Sequence, residues 1–332
     1  MSLKEIAKMT GTSVSTVSRI LNNPGYQSRN KELTNKVFDA AASIGYIPNT
    51  SAQRLKGSFV DKAELTVDLL ITRFTSVDED DFFLEISQLI KKELLSSGCR
   101  IGNTFDLPSM LELKNKPARQ QNTGLIVLGK LPMQFKNIIT RHYAHFIGVD
   151  RNPTQWEYDE VVCDGQAAAR SAMEYLLSLG HTRIAYIGDC TSESRYLGYY
   201  NTLIDNRLPL NYNDIYQTNQ TESQGFDTYM KILNAPSRPT AIFCANDSTA
   251  IGVLNAMNKT RKSGYMPSVI SIDNSEASSK TSPMLTTIEV PKEEMSHLSV
   301  LLLLDRIKKN TPTHIRVEVP SRLIVRESCS FI

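Results

Sequence analysis

The sequence predicts a small all-α head followed by a larger α/β body. Two patterns predict this division. The first 48 residues place apolar side chains at helical spacing, whereas strand-like and helix-like segments alternate from Ala63 onward. A length of 332 residues with 41% apolar side chains fits a folded chain of about two domains. We place the head at residues 1–48, a hinge helix and linker at 49–60, and the body at 61–332.

The charge distribution indicates a polyanionic partner for the start of the chain. Residues 1–60 carry eight basic and three acidic side chains, whereas the remaining residues carry 29 and 32. A basic head on a faintly acidic body is typical of a protein that binds nucleic acid through one end. The alternative is an ordinary solvated charged surface.

Composition and motifs argue against several other classes of protein. The five cysteines lie far apart and the five histidines have no metal-ligand spacing, so we expect neither a disulfide framework nor a metal site. No nucleophile, phosphate-loop or zinc-protease motif is present in the sequence, so we expect no catalytic residues and no cofactor. Without a membrane-length apolar run or a signal segment, we expect a cytoplasmic protein that does not contact the membrane.

Three short helices are predicted in the head. Ser2 and Glu5 form the pairing of a capping box, which begins the first helix, and Gly11 ends it. The apolar stripe of this helix consists of Leu3, Ile6, Ala7 and Met9. A second helix begins after Ser13, and a third spans about residues 30–44. Two helices around a short glycine-bearing turn, closed by a third, form a helix-turn-helix unit.

The second helix has the composition of a helix that enters the major groove. It begins with small hydroxyl side chains and one guanidinium, where an ordinary surface helix more often carries Glu and Lys. The string from Ser15 to Asn22, together with that from Gly45 to Asn49, resembles the DNA-binding head of the lactose-repressor family of bacterial transcription regulators. The resemblance continues along essentially the whole chain.

That resemblance implies a set of DNA-binding residues in the head: Ser13, Val14, Ser15, Thr16, Ser18, Arg19 and Asn22. Val14, Ser15 and Arg19 would read operator bases, whereas Thr16 and Ser18 would bond phosphates. Ser13 would present a helix N-terminus to the DNA backbone. The alternatives are helix packing for Val14 and a plain surface charge for Arg19.

The segment after the head is predicted to be a short hinge. A helix within residues 49–57 would be too short to be stable alone in water. The resemblance implies that this segment orders on operator DNA, where two copies pair. Asn49, Ala52 and Leu55 would contact the DNA, with Leu55 inserted into the minor groove. The alternative is a flexible linker in which the leucine is incidental.

The body is predicted to contain parallel sheets flanked by helices. We predict strands at 64–72, 123–129, 145–149, 183–188, 239–245 and 268–273, and helices at 81–97, 165–179 and 248–258. Strings such as Leu179 to Gly188 and Pro239 to Asp247 resemble the same family. The resemblance implies two doubly wound parallel-sheet lobes of the periplasmic sugar-binding type, with three crossovers and a ligand cleft between them.

Polar residues at predicted strand ends are candidates for effector binding. Asp150, Asn246 and Asp273 each lie at or just past the end of a strand, where open α/β sheets bind ligands. A carboxylate or amide can bond two vicinal sugar hydroxyls, although strand-end caps are the alternative role. Arg195 lies near the position of the family's cleft arginine, and Glu193 occupies the alternative register.

Aromatic residues give a weaker indication of the ligand. Phe82 and Phe83 could stack on the apolar face of a sugar, or they could equally pack in the core. Gln220 stands where the family often has an aromatic residue, and Trp156 could supply the missing stacking surface.

The resemblance implies a homodimer that binds near-palindromic double-stranded operator DNA and represses carbohydrate-utilisation genes. We expect a dimer because the chain stops at Ile332 without a heptad leucine extension. The segment from Gly124 to Lys130 is most similar to the evolved-β-galactosidase repressor branch, which suggests a galactoside effector. The alternatives are a sugar-binding protein that serves transport, a regulator that responds to a purine, and activation instead of repression.

Overall fold

The computed structural model describes residues 2–22, 26, 30–46, 65–72, 81–115, 123–150, 158–191, 193–309 and 313–332. The chain divides into two compact units. Unit 1 comprises Met1–Val162 and Lys292–Val317, and unit 2 comprises Cys163–Pro291 and Glu318–Ile332, so the chain passes between them three times. Within the described ranges, no helix combines the length and the apolarity needed to cross a bilayer.

The head forms the helices α1 (Leu3–Thr10), α2 (Val14–Asn22) and α3 (Lys31–Ser43). The predicted capping box is present, since the Ser2 backbone N–H donates to Glu5 at 2.8 Å and the Glu5 N–H donates back to Ser2 Oγ. Gly11 ends α1 with a φ of 64°, a left-handed conformation that glycine adopts without strain. Side chains from all three helices form the buried core of the head: Ile6, Ala7, Val17, Ile20, Leu21, Val37, Phe38, Ala40 and Ala41.

One apolar residue of the head was placed wrongly by the sequence. Met9 is 56% exposed and does not belong to the buried stripe of α1. The buried side of that helix runs through Ile6 and Ala7, with Leu3 packed at its edge. Each helical residue turns the chain by roughly 100°, which carries Met9 away from this side toward solvent.

Unit 1 contains a sheet with the strand order β11-β5-β4-β3-β1-β2 in its described part. The strands are β1 (Thr66–Ile71), β2 (Arg100–Phe105), β3 (Thr123–Leu128), β4 (His145–Asp150), β5 (Asp159–Val162) and β11 (Arg316–Glu318). The strands β1 to β5 pair in parallel. The accompanying helices are α4 (Asp81–Ser96), α5 (Leu107–Glu112), α6 (Lys136–His142) and α11 (Lys292–Lys309). Strands such as β3 are almost continuously apolar because helices cover both faces of a parallel sheet.

Within unit 1, the head packs on α4 and β2 mainly through α3. Lys91 of α4 forms an ion pair with Asp39 of α3 at 3.3 Å. Gln88 of the same helix donates to Asn35 Oδ1 at 2.9 Å. Leu95 packs with the core of the head. The ion pair and the side-chain hydrogen bond that join the head to α4 therefore come from α3, whereas the polar start of α2 remains exposed.

Unit 2 contains the second sheet, with the strand order β12-β10-β9-β8-β6-β7 in its described part. The strands are β6 (Ile184–Gly188), β7 (Ile215–Gln217), β8 (Ala241–Cys244), β9 (Ser268–Asp273), β10 (Thr286–Glu289) and β12 (Arg322–Ile324). The first five pair in parallel, and β12 is antiparallel to β10. The accompanying helices are α7 (Gly165–Ser178), α8 (Ser194–Asp205), α9 (Glu222–Leu233) and α10 (Asp247–Lys259).

Glycines allow α9 and α10 to approach closely. A Cβ atom on Gly225 would lie 2.1 Å from the Thr249 carbonyl oxygen, and one on Gly252 would lie 1.9 Å from the Glu222 carbonyl oxygen. Neither position has room for a larger side chain unless the backbone moves. This contact holds α10 against α9, and α10 begins three residues after the last residue of β8.

The predicted fold class is confirmed within each unit. The head is a three-helix unit, and each of the two sheets is mostly parallel and flanked by helices. The helix expected at 248–258 spans Asp247–Lys259, and the strand expected at 268–273 has those bounds. The hinge helix expected at 49–60 lies outside the described residues and stays a prediction, as do the three domain boundaries.

Candidate functional site

The start of α2 gathers the hydroxyl groups that the sequence assigned to DNA. Ser13 Oγ accepts from the Thr16 backbone N–H at 3.1 Å, which caps the helix. The same Oγ lies 2.8 Å from the hydroxyls of both Ser15 and Thr16. Val14 beside them is 41% exposed, so its side chain is not used in the core of the head.

Arg19 lies on the same surface of α2. Its Nε donates to the Ser15 carbonyl at 3.4 Å, and its guanidinium carbon stands 5.7 Å from the centre of the Tyr26 ring. Asn22 Nδ2 donates to Ser18 Oγ at 3.5 Å one turn away. We call this surface the α2 polar face: Ser13, Val14, Ser15, Thr16, Ser18, Arg19 and Asn22.

The opposite side of α2 fixes the orientation of this face. Val17, Ile20 and Leu21 are buried against α1 and α3. A helix with one side buried in a small core presents its other side as a rigid surface, which is what insertion into a major groove requires. The roles in DNA binding assigned to individual residues of the α2 polar face stay predictions. Asn49, Ala52 and Leu55 lie outside the described residues.

In unit 1, the candidate effector residues lie at the carboxyl ends of strands. Asp150 ends β4 and is buried. The Phe83 ring reaches the end of β3, because a Cβ on Gly129 would lie 3.3 Å from its Cζ. Phe82 packs edge-on against Phe83 with ring centres 5.1 Å apart, and both rings are buried. These phenylalanines therefore pack within unit 1, and a stacking role toward a sugar stays a prediction.

In unit 2, Arg195 is the centre of a buried hydrogen-bonded cluster. The side chain is 1% exposed, although Arg is one of the residue types least often buried. Its Nε and Nη2 donate to the two carboxylate oxygens of Glu193, each at 2.9 Å. Its Nη2 also donates to Gln220 Oε1 at 2.9 Å, and its Nη1 donates to the Ala245 carbonyl.

Asn246 joins this cluster as the N-cap of α10. Its Oδ1 accepts from the Thr249 backbone N–H at 3.1 Å and from the Thr249 hydroxyl at 2.6 Å. Its Nδ2 donates to the Gln220 carbonyl at 3.0 Å. We call the group Glu193, Arg195, Gln220, Ala245 and Asn246 the Arg195 cluster. Asn246 thus serves as the helix cap that the sequence left open as the alternative.

Strained backbone surrounds the Arg195 cluster. Gln220, Asp273 and Asn274 have φ values of 65°, 126° and 48°, in the region that favours glycine. Such conformations cost about 1–3 kcal/mol each and persist where the surroundings enforce them, commonly at ligand sites. Asp273 ends β9, and its charge acts on Arg195. The cluster and Asp273 therefore occupy the carboxyl edge of the second sheet, where open α/β folds bind ligands.

Asp247 joins the elements at the carboxyl edge of the second sheet through buried hydrogen bonds. It is 1% exposed, and its Oδ1 accepts from the hydroxyls of Ser271 at 2.6 Å and Thr287 at 2.7 Å. Its Oδ2 accepts from the Ser275 backbone N–H at 2.6 Å. One carboxylate thereby links β9, β10 and the turn that carries Asp273 and Asn274.

Electrostatics keep the arginine charged. Burial opposes the charged form, but the charge and hydrogen bonds of Glu193 and the charge of Asp273 outweigh it and raise the Arg195 pKa above its ordinary value. At the end of β6, burial and the charge of Asp189 raise the pKa of Cys190 to about 11. The buried guanidinium is therefore a permanent charge held between carboxylates.

Sequence reasoning left Arg195 and Glu193 as alternatives in register, whereas the structure uses both residues as a pair. It also missed two contributors. The sequence indicates only that Gln220 lacks an aromatic ring, and it gives no prediction for Asp247. Placing Gln220 required knowing that β7 lies beside β6, which no local pattern reports. The Asn-Asp pair two residues after the end of β8 is the available signal for Asp247.

The chemistry of these groups is better suited to binding a polar, uncharged ligand than to catalysing a reaction. The Arg195 cluster offers amide and guanidinium donors beside carboxylate acceptors, which matches the mixed donor and acceptor character of sugar hydroxyls. Among the described residues, no group of three or more His, Cys, Asp or Glu side chains is arranged to hold a metal ion.

Comparisons with known proteins agree with this assignment of regions. The profile described as "Bacterial regulatory proteins, lacI family" matches residues 2–49, and the profile "Periplasmic binding protein-like domain" matches residues 173–329. The HTH-type transcriptional repressor MelR of Bacillus subtilis is 28% identical, over 98% of this chain and 97% of its own length. The lacI-family profile therefore contains the α2 polar face, and the periplasmic binding protein-like profile contains the Arg195 cluster.

Solved structures resemble the chain over almost its whole length. A transcriptional regulator CelR–cellobiose complex superposes with a TM-score of 0.67 at 22% identity, covering 99% of this chain and 100% of that one. A lac repressor dimer bound to operator and an anti-inducer gives a TM-score of 0.65 at 24% identity, covering 99% and 98%. These two likenesses show the fold, and the family resemblance predicted from the sequence is confirmed. The chain therefore combines a segment that matches the lacI family of bacterial regulatory proteins, residues 2–49, with one that matches a periplasmic binding protein-like domain, residues 173–329.

Proposed function

We propose that the chain is a sequence-specific DNA-binding repressor whose affinity for its operator is controlled by a small sugar. The α2 polar face carries the first part of this proposal. Its hydroxyls and Arg19 project from a helix whose other side is locked into the core of the head. Hydroxyls and a guanidinium are the groups that bond base edges and phosphates in the major groove.

Two copies of the chain would bind one operator. A homodimer places two such helices in successive major grooves of a near-palindromic site. In this proposal Asn49, Ala52 and Leu55 pair across the centre, and Leu55 wedges a base step open. The lac repressor solved with its operator is a dimer, which supports this arrangement.

The Arg195 cluster supports the second part of the proposal. A buried, hydrogen-bonded charge at the carboxyl edge of a parallel sheet is a place for a small polar ligand. The relative CelR is solved with cellobiose, which supports a sugar as the ligand class. Asp150, Phe82 and Phe83 at the carboxyl edge of the first sheet are proposed as further effector contacts, and a galactoside as the first sugar to test.

The test of DNA recognition is fluorescence anisotropy with duplexes taken from upstream of the chain's own gene. We expect one duplex to bind far more tightly than a shuffled duplex at about 0.15 M salt, since specific sites typically exceed non-specific ones by about 10³-fold or more. Arg19→Ala should weaken binding to that duplex by about 5- to 150-fold, the loss expected for a contact to a base.

The matched control removes a positive charge outside the α2 polar face. Lys8 is exposed on α1, so Lys8→Ala should weaken specific and non-specific binding alike and only slightly. If the chain bound every duplex equally, or if the Arg19 and Lys8 variants lost the same affinity, DNA recognition by this face would be refuted. The plain sugar-binding protein would then be the better account.

A further inference from the structure

The Arg195 cluster carries an inference about the charge of the ligand, which rests on the function proposed above. We propose that Glu193 makes this site selective for neutral sugars and excludes sugar acids and phosphorylated sugars. Glu193 acts as a specificity-determining residue by neutralising Arg195, the cation that an anionic ligand would otherwise seek.

The geometry of the pair is the first support. A guanidinium has five N–H donors, and among the described residues four of those of Arg195 have acceptors. Arginine binds carboxylates and phosphates in a bidentate manner through an edge such as the one formed by Nε and Nη2. In Arg195 both oxygens of Glu193 already occupy this edge, each at 2.9 Å. One Nη1 N–H is left, which suits a single hydroxyl oxygen.

The local charge is the second support. Glu193 and Asp273 both act on Arg195, so this part of the site holds one cation and two carboxylates. Asp189, directly after β6, is a further negative charge in this region and is itself influenced by the charge of Glu193. A second cation, Arg326, donates to Asn274 Oδ1 at 2.6 Å, beside Asp273 in the sequence. The Asn274 amide donates in turn to the Glu289 carboxylate at 3.0 Å, so a carboxylate accompanies this second cation as well.

Burial makes this charge count for recognition. Glu193 and Arg195 are 3% and 1% exposed, and Asp273 is 6% exposed. Charges in such surroundings are weakly screened, so a ligand carboxylate or phosphate would meet repulsion without the compensation it has in water. A neutral hydroxyl has no such cost and donates to the carboxylates already present.

Glu193 is placed for this task by the chain itself. It is the N-cap of α8, where its Oε1 also accepts from the Arg195 backbone N–H at 3.4 Å. The carboxylate therefore cannot swing away when a ligand arrives without uncapping the helix. Selectivity for neutral ligands is thus built into the start of α8.

The experiment measures the dissociation constants of matched neutral and acidic sugars by calorimetry on the full chain. The probes are D-galactose, D-glucose and methyl β-D-galactoside against D-galacturonate and D-glucuronate. The wild-type chain should bind at least one neutral sugar about tenfold or more tighter than its uronate. Glu193→Gln, of nearly the same shape, should shrink this ratio about tenfold by strengthening the uronate relative to the neutral sugar.

Two further variants separate charge from packing. Glu193→Asp keeps the negative charge and should keep the preference for the neutral sugar, even if it weakens all binding. Glu174 is exposed on α7, so Glu174→Gln makes the same chemical change elsewhere in the unit and should leave the ratio unchanged. If the Gln variant at position 193 fails to fold, the wild-type ratio and the Asp variant still decide the question.

The outcomes distinguish this inference from the proposed function. A wild-type chain that binds a uronate as tightly as the neutral sugar overturns the inference but leaves a sugar-controlled repressor intact. So does an unchanged ratio in Glu193→Gln, or a ratio lost equally in Glu193→Asp. If no probe of either charge binds, both the neutral-sugar inference and the sugar effector are wrong, whereas the anisotropy assay reports on DNA recognition separately.

Discussion

Removing the Asp247 carboxylate should selectively destabilise the carboxyl edge of the sheet in unit 2, where β9 and β10 end. The side chain accepts from two buried hydroxyls and from the Ser275 backbone N–H, all within 2.7 Å. Hydrogen bonds to a charged acceptor contribute about 1.5–3 kcal/mol each. Since the Ser271 and Thr287 hydroxyls can rotate toward other acceptors but the Ser275 N–H cannot, we expect Asp247→Ala to cost about 3–5 kcal/mol, at the upper end of single-residue effects.

Asp247→Asn should cost less, about 1–3 kcal/mol. Its remaining oxygen can accept from the Ser275 N–H, and its amide N–H groups can donate to Ser271 and Thr287 once these hydroxyls rotate. Only the charge assistance of the three bonds is then lost. The Ala variant is therefore expected to lose more stability than the Asn variant, because the Ser271 and Thr287 hydroxyls can rotate to other partners whereas the Ser275 N–H cannot.

Hydrogen exchange followed by mass spectrometry measures this loss strand by strand. In peptides from β9 and β10, the Ala variant should exchange about 150- to 5,000-fold faster, because each 1.4 kcal/mol is a factor of ten. Peptides from β1 and β3 in unit 1 serve as the internal control. Asp227 is exposed on α9, and Asp227→Ala is the matched variant that should change nothing. Exchange in β9 and β10 that stays within a few-fold of wild type, or that rises equally in unit 1, would refute the reasoning.

Three further predictions concern other parts of unit 2. Because burial raises the pKa of Cys190 to about 11, its thiol stays protonated at neutral pH, and at about pH 8 iodoacetamide should alkylate it roughly 100-fold more slowly than an unperturbed thiol; equal rates by peptide mass spectrometry would contradict this. Gly252→Ala should lower the unfolding temperature, because the new Cβ would lie 1.9 Å from the Glu222 carbonyl oxygen; an unchanged or higher temperature would show that α9 and α10 separate freely. Burial lowers the pKa of His181 below 6.5 despite the opposing bond to the Ser330 carbonyl, so its contribution to stability is complete above that pH and is lost as the pH falls below it. Between about pH 7.5 and 5.5 the wild type should therefore lose more thermal stability than His181→Gln, and equal losses would contradict this.

Local patterns were sufficient to predict the head and six of the twelve described strands, namely β1, β3, β4, β6, β8 and β9. The capping pair of Ser2 and Glu5, the glycine at position 11 and the spacing of Val17, Ile20 and Leu21 each report backbone geometry within a few residues. Met9 failed because apolar character alone does not place a residue on the buried side of a two-turn helix. The six predicted strands could be found because buried parallel strands are short apolar runs. Strands such as β2, β7, β11 and β12 were missed because they are partly exposed and lack such a run.

The residues at the carboxyl edge of the second sheet could be predicted only in part. Strand ends pointed to Asn246 and Asp273, because ligands bind where parallel strands end. The pairing of Arg195 with Glu193 and the contact with Gln220 depend on α8, β7 and β8 meeting at one place. Such contacts join residues up to 50 positions apart, as for Arg195 and Ala245, and no local pattern encodes them. The strained φ of Asp273 likewise became visible only in the folded chain.

The central claim is that occupation of the effector site changes the affinity of the head for one particular DNA sequence. Its most direct test is a titration of the full chain against its preferred duplex and a shuffled duplex, each with and without a saturating neutral sugar. We expect the affinity for the preferred duplex alone to change by about 5- to 150-fold, the size of a typical coupling between two sites. A sugar that binds the chain yet leaves the affinity for the preferred duplex unchanged would contradict it.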